Sequence, residues 1–416
     1  MVATLTRNIF IYQSVLAGFA TKSFKIIFKI IFLRFYIINP VLPSNFDDIR
    51  PYNDAELPAA LARMVRTPLF AQMAAFLYPD QKSEAVAKSL MAVTSIDQLQ
   101  MTLMRDLIER IKATTISQFT FSGLDNISTA EPHLFVSNHR DIVLDAFLLQ
   151  FVLRLNGHGT NYITFGANLM QDPFVVELGK CNKMFRVERG GTRAQFYNSL
   201  VHLSEFIRYV LTQERQSLWT AQRNGRTKDG RDQTDPSILK MFARSSKLSP
   251  AEALAPLNIT PVAVSYEWEP CDLLKTRERC LTVNGVYQKA PGEDLESILT
   301  GIRQYKGQVH IAIGKSLTLD NLSALPSAGF FEAAAQLLDR QIYQNYKLYP
   351  NNYIAHDLRS GSQQYAPHYN ADQRKIFLKR LVKVSELLPG NSAATCAFLD
   401  IYANPVDCSR ARNSVG

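Results

Sequence analysis

The side chain best placed to do chemistry in this sequence is His139, in the stretch Phe135-Val-Ser-Asn-His-Arg-Asp-Ile-Val-Leu-Asp-Ala-Phe-Leu-Leu-Gln150. A neutral imidazole near pH 7 can take a proton from a hydroxyl. Two carboxylates, Asp141 and Asp145, lie close enough in sequence for one of them to hold its other ring nitrogen. The apolar run 134–136 predicts a buried strand, Ser137 and Asn138 break it, and the apolar spacing over 142–149 predicts a helix. His139 is therefore expected in a strand-to-helix turn, where a rigid scaffold can present a ring to a cleft. One His near one Asp occurs by chance in most chains of this length, so the pair gains weight only from the residues downstream of it.

Three further blocks come after it in order: Phe185-Arg-Val-Glu-Arg-Gly-Gly191, then Leu218-Trp-Thr-Ala-Gln-Arg-Asn-Gly-Arg-Thr-Lys-Asp-Gly230, then Ile259-Thr-Pro-Val-Ala-Val-Ser265. With the His139 block they resemble the glycerol-phosphate and lysophospholipid acyltransferase family, over about residues 115–320. Its members carry His and Asp in the first block, Arg in the second, Gly-Arg in the third and an apolar strand with Pro in the fourth. The resemblance implies transfer of a fatty acyl group from a thioester, on acyl-CoA or acyl carrier protein, to the hydroxyl of a glycerol-phosphate or lysophospholipid acceptor. In that reading His139 is the general base and a carboxylate behind it fixes the tautomer and steadies the imidazolium. No metal, cofactor or prosthetic group is implied.

Two departures from the family pattern matter. Five residues separate His139 from Asp145 where the common form has four. Asp145 is still the expected partner, because a turn absorbs one extra residue whereas Asp141 would have to bend back under strain; Asp141 is then expected to cap the next helix. The second departure is Asn224, which stands where many members carry Glu before the Gly, and it bears on the acceptor more than on the reaction. Arg189 and Arg226 are the candidate phosphate ligands, since a guanidinium offers paired donors in fixed geometry. Gly190 and Gly225 would let the backbone approach. Asn138, Asn224 and Pro261 complete the candidate substrate-binding set, with Val262, Val264 and Ser265 as channel or core residues.

The net charge of +9 is unevenly spread. Residues 1–46 carry Arg7, Lys22, Lys25, Lys29 and Arg34 and no acid, and residues 180–244 carry 13 basic and 6 acidic side chains. Such localisation favours an anionic partner at defined places. With 46% hydrophobic and 20% charged residues the chain is globular in composition, not disordered. The five cysteines, at 181, 271, 280, 396 and 408, are odd in number without close pairs, which fits a reducing compartment and mostly buried thiols.

Along the chain, residues 1–45 form a basic apolar segment. Lys29 and Arg34 interrupt its apolar run, while Lys22, Lys25 and Lys29 share one helical face, which suits a helix lying in a membrane interface. Its competitors are a signal anchor, a helix packed on the protein body and a misassigned start. Residues 46–115 are expected to be a helical subdomain, 116–320 the catalytic domain and 321–416 a helical closure whose tail past Pro389 is uninformative. From 117 onward, short apolar runs alternate with helical ones. The expected fold class is α/β, a mixed central sheet flanked by helices.

Rival readings are weaker. His139-Arg140-Asp141 matches a kinase catalytic triplet, but Ala146 stands where Asn is required and no glycine-rich loop precedes it. Gly314-Lys315-Ser316 ends like a phosphate loop, yet Val309 occupies the required Gly position. A non-catalytic basic protein binding membrane or nucleic acid remains the alternative from another class. The partners expected are the thioester donor, the lipid acceptor and a membrane surface at the cytoplasmic face, with no nucleic acid.

Overall fold

The computed structural model describes residues 44–411. The expectation of an interfacial helix within 1–45 lies outside the described residues. The chain divides into two compact units at Asp47/Asp48, and the second of them holds the sheet and the candidate site. Among the described residues no helix is long and apolar enough to cross a membrane.

A seven-stranded mixed sheet organises this unit, in the order β1-β7-β6-β2-β5-β3-β4. The strands are β1 (Ile116–Ser122), β2 (Leu134–Ser137), β3 (Tyr162–Gly166), β4 (Met184–Val187), β5 (Leu218–Ala221), β6 (Ile259–Tyr266) and β7 (Gly307–Ile313). All pairings are parallel except β6 with β7. Central β2 and β6 are buried at every position, which is why their sequences are mostly apolar instead of alternating. Pro261 sits inside β6, where proline is normally excluded. Gly314 N donates to Pro261 O at 2.8 Å, and the bond a different residue would return is the one proline omits. Accordingly β7 leaves the ladder at Ile313.

The main helices are α1 (Leu57–Met64), α2 (Pro68–Leu77), α3 (Arg105–Thr115), α4 (Leu144–Leu155), α5 (Pro173–Cys181), α6 (Arg193–Thr212), α7 (Asp272–Leu281), α8 (Glu293–Arg303), α9 (Phe330–Asn345), α10 (Pro350–Ser360), α11 (Ala371–Leu387) and α12 (Ser392–Ala411). The helical stretch ahead of β1 has no core of its own: Leu61, Phe70 and Ile108 belong to the same apolar cluster as Phe135, Phe147 and Val264. It is also more broken than its periodicity predicts. Thr67 caps a new helix at Pro68, and Gln100–Met104 forms a π-turn ahead of α3. The tail past Pro389, silent in the sequence, forms α12 and packs Phe398 and Tyr402 against Ile354 of α10 and Phe377 of α11. The cysteines also depart from expectation: Cys181 and Cys271 are buried, Cys280 and Cys408 half-buried and Cys396 exposed.

Candidate active site

Parallel strands that share a direction deliver their C-terminal loops to one edge of a sheet, and that edge is where open α/β sheets place ligands. Residues after β2, β3, β4 and β5 meet here. Thr227 N donates to His139 O at 2.9 Å and Gln222 N to Ser137 O at 2.8 Å, so the loop after β5 is laced to the turn after β2.

Within that turn, His139 Nδ1 lies 2.9 Å from Asp145 Oδ2. The same oxygen accepts from Arg140 N at 2.6 Å and Asp141 N at 2.9 Å, while Asp145 Oδ1 accepts from the Tyr266 hydroxyl at 2.8 Å. Surrounded by donors, the buried carboxylate requires Nδ1 to carry the ring proton. The lone pair is thereby left on Nε2, on a side chain still 12% exposed. The extra residue between His139 and Asp145 is absorbed within the turn, as expected, with the loop's own amides wrapped onto the carboxylate. Trp219 of β5 stands edge-on to the imidazole, 5.6 Å between centroids, and its indole N–H is held by Ser137 Oγ at 2.9 Å. The ring is thus fixed in position as well as in tautomer.

Asp141 turns the other way. Its Oδ1 accepts from Val143 N at 3.0 Å and Leu144 N at 2.9 Å, capping the entry to α4. Its Oδ2 is buried without a hydrogen-bond partner, and burial, helped by the Asp145 charge, pushes its carboxyl above the ordinary range. Gly301 of α8 packs against this oxygen, and a methyl group there would overlap it. Alanine at an ordinary helix position gains about 1 kcal/mol over glycine. Here the sign reverses: Gly301→Ala is expected to cost about 1–3 kcal/mol by overpacking, seen as a lower melting temperature.

Arg226 is 8% exposed, and its Nη1 has no hydrogen-bond partner. It lines a cavity of about 320 Å³, counting its open mouth, in which Arg277 and Lys289 are matched by Glu278, Glu293 and Glu296. Gly225, at φ +76°, makes the turn that aims it. Asn224 is exposed. Arg189 does not join this cavity. It lies over Gly166 at the end of β3, so close that a side chain on Gly166 would collide with the guanidinium. With strands about 4.8 Å apart, that places it on the order of 10 Å across the sheet from β2. Gly190 is exposed in the same loop.

Two expected binding residues take structural posts instead. Asn138 is fully buried, with its amide spent on Val264 N at 2.7 Å, Val264 O at 3.0 Å and Asp232 at 3.1 Å, so it clamps β2 to β6. Pro261, Val262 and Val264 lie inside the sheet. The apolar groove beside the turn is lined by other residues, among them Met73, Val143, Phe147, Phe165, Leu178 and Ile298, and encloses about 800 Å³ counting its open mouth.

Residues 118–226 match the family model described as Acyltransferase, across the first three of the four blocks. This segment is an acyltransferase domain. The match agrees with the acyltransferase family that the blocks resemble. No curated protein sequence matches the chain significantly. Among solved structures, the 1-acyl-sn-glycerophosphate acyltransferase PlsC from Thermotoga maritima is similar at 12% identity and a TM-score of 0.35, covering 70% of this chain and 95% of that one.

Sequence reasoning missed several residues that build the candidate site: Trp219, Tyr266, Arg140, Asp232, Glu269 and Lys275. Arg140 is fully buried just after His139, bonded to Asp232 at 2.5 Å and Glu269 at 3.1 Å, with its guanidinium over the Tyr346 ring. Burial works against its charge, but the two carboxylates more than offset that and hold its pKa well above the ordinary value. A charge this deep in a turn was the available signal, since an Arg between a His and an Asp needs carboxylates from elsewhere in the chain.

Proposed function

We propose that this acyltransferase moves a fatty acyl group from an acyl thioester, on coenzyme A or acyl carrier protein, to a hydroxyl of a glycerol-phosphate or lysophospholipid acceptor. The observation that carries the proposal is the His139–Asp145 pair, set one hydrogen bond from the turn that bears Arg226 and its unpartnered Nη1. Nε2 of His139 takes the hydroxyl proton as the oxygen attacks the thioester carbonyl. The C–S bond then breaks, and the proton passes to the departing thiolate. Asp145 steadies the imidazolium in between.

Arg226 holds the acceptor's phosphate with its free Nη1, while Arg277 and Lys289 of the same cavity are already paired with Glu293 and Asp294. The apolar groove takes the acyl chain, since Val143 lies on its wall four residues past His139. Arg189, set apart, has a weaker claim on the phosphate. The enzyme works at the cytoplasmic face of a membrane.

Thiol release, followed across a panel of acceptors, tests the assignment. Arg226→Ala is expected to raise the acceptor KM with little change in kcat, because it removes binding common to ground and transition states. Loss of a buried charge-assisted hydrogen bond corresponds to about 1.5–3 kcal/mol, or roughly a 10- to 150-fold rise. An unchanged KM for every phosphate-bearing acceptor would remove Arg226 from the site. Failure of the wild type to release thiol with any acceptor would remove the reaction.

A further inference from the structure

Two exposed apolar features project from the edge of the sheet that carries His139. The first is the start of α6. Residues 191–198 are exposed throughout, and burial on this helix begins only at Leu203. Phe196 and Tyr197 are 41% and 51% exposed there. A capping box, Thr192 with Gln195, makes these turns ordered helix, so the aromatic rings are displayed on a fixed frame. Positive charge surrounds them. The Arg244 guanidinium lies 4.1 Å from the Tyr197 ring centroid, and Arg189, Arg193 and Lys247 are exposed close by in sequence to one or other of this pair. Arg186 is neutralised by Glu188, whereas Arg193 has no acid partner among the described residues.

The second feature is a hairpin after α7. Val283 and Val286 exchange backbone hydrogen bonds at 3.1 and 3.0 Å, with Asn284 (φ +50°) and Gly285 (φ +76°) between them. This is the type I′ pattern favoured in tight hairpins. It carries Val283 and Val286 at 68% and 63% exposure, with Leu281 exposed beside them. A water-soluble tip of this kind normally bears polar residues.

Both features are anchored to the same edge. α6 follows β4 and α7 follows β6, two strands that run parallel to β2 within the sheet. The chain returns from the hairpin through Lys289, which pairs with Asp294; Asp294 in turn accepts from Asn168, just past β3.

We propose that this edge is a docking surface for an anionic lipid bilayer, with Phe196 and Tyr197 entering the headgroup–acyl boundary, the valine hairpin entering beside them, and Arg189, Arg193 and Arg244 meeting lipid phosphates. Aromatic rings flanked by arginine are what a membrane interface selects. Charge complementarity decides for lipid over an apolar protein partner, since each basic residue at an anionic surface adds attraction that a neutral partner would not return. The surface deepens the acyl-transfer reading by placing the mouth of the site against its substrate's source, and it rests on that reading only for this last point.

The full-length chain with Tyr197→Trp, Val283→Trp or, as a control on α11, the exposed Val382→Trp supplies site reporters. Each is mixed with vesicles of phosphatidylcholine and phosphatidylglycerol whose acyl chains are brominated. Position 197 and position 283 are expected to shift to the blue and lose emission relative to the wild type, and position 382 to do neither. Arg193→Ala in the Tyr197→Trp background is expected to weaken that signal's lipid dependence about fivefold. Vesicle binding with both reporters silent would assign membrane contact to another part of the chain and overturn the proposal, as would equal quenching at 382 or no vesicle binding. None of these readouts depends on turnover. Quenched reporters on a chain that releases no thiol would sink the acyl-transfer reading and leave this surface standing.

Discussion

His139→Ala is expected to lower the rate of thioester consumption by about 10²- to 10⁴-fold, the range that positioned general bases contribute. The fold should survive, because the ring makes one hydrogen bond and one edge-on contact and its side chain reaches solvent. Melting temperature and acceptor binding, measured alongside, separate lost chemistry from lost structure. Asp145→Asn is the sharper companion. Its amide can present oxygen to the three donors now on Oδ2 and its NH₂ to the Tyr266 oxygen, so the hydrogen-bond pattern has a neutral equivalent. What it cannot supply is the negative charge that steadies the imidazolium. A folded variant with unchanged acceptor binding and kcat reduced by several orders of magnitude is therefore expected, as when the analogous carboxylate of a Ser-His-Asp triad is neutralised. Wild-type kcat in either variant would mean that the pair is structural.

How much of this was legible depends on the range of the interactions. The strand, turn and helix around His139 could be read because each is a local pattern, and the apolar runs of β2 and β6 followed from burial on both faces. The choice of Asp145 over Asp141 also needed only local geometry. Arg189 and Arg226 were both read as phosphate ligands, Arg226 ahead, but their separation was not legible, since sequence order says nothing of strand order: β4 and β5 are separated by β3 in the sheet, and of their two loops only the one after β5 borders β2. The apolar groove was sought along β6, and the chain builds it from α2, α3, α4, α5 and α8 instead. No single one of those segments advertises a binding function, because in each the same residues serve as ordinary core. The tail was silent for another reason: α12 mixes buried apolar residues such as Phe398 and Ile401 with polar ones that find distant partners, such as Tyr402 with Asp272 at 2.8 Å and Asn404 with Asp229 O at 2.7 Å.

The C-terminal helices reach the His139 turn through a buried ionic cluster, and breaking that cluster should produce the largest loss of stability. Lys275 Nζ donates to Glu269 at 2.5 Å and to the Arg140 carbonyl at 2.6 Å; Glu269 also accepts from Arg140, which pairs in turn with Asp232. Beyond it, Glu269 N donates to the Tyr402 hydroxyl at 3.1 Å, and Asp272 holds both Tyr402 and Arg380. Two cations and two carboxylates balance inside the fold. Glu269→Ala would leave two buried cations facing one carboxylate, at an expected cost of about 3–5 kcal/mol in denaturant unfolding. Combining Glu269→Leu with Lys275→Met restores the balance, because Arg140 still pairs with Asp232, and most of that stability should return. The double variant nevertheless lacks the Lys275 bond to the Arg140 carbonyl, one residue from the imidazole. Its kcat should therefore stay below wild type at temperatures where it is fully folded, while its acceptor KM is unchanged. If kcat recovers together with stability, the cluster only holds the protein together; if it does not, Lys275 is a positioning residue for the base.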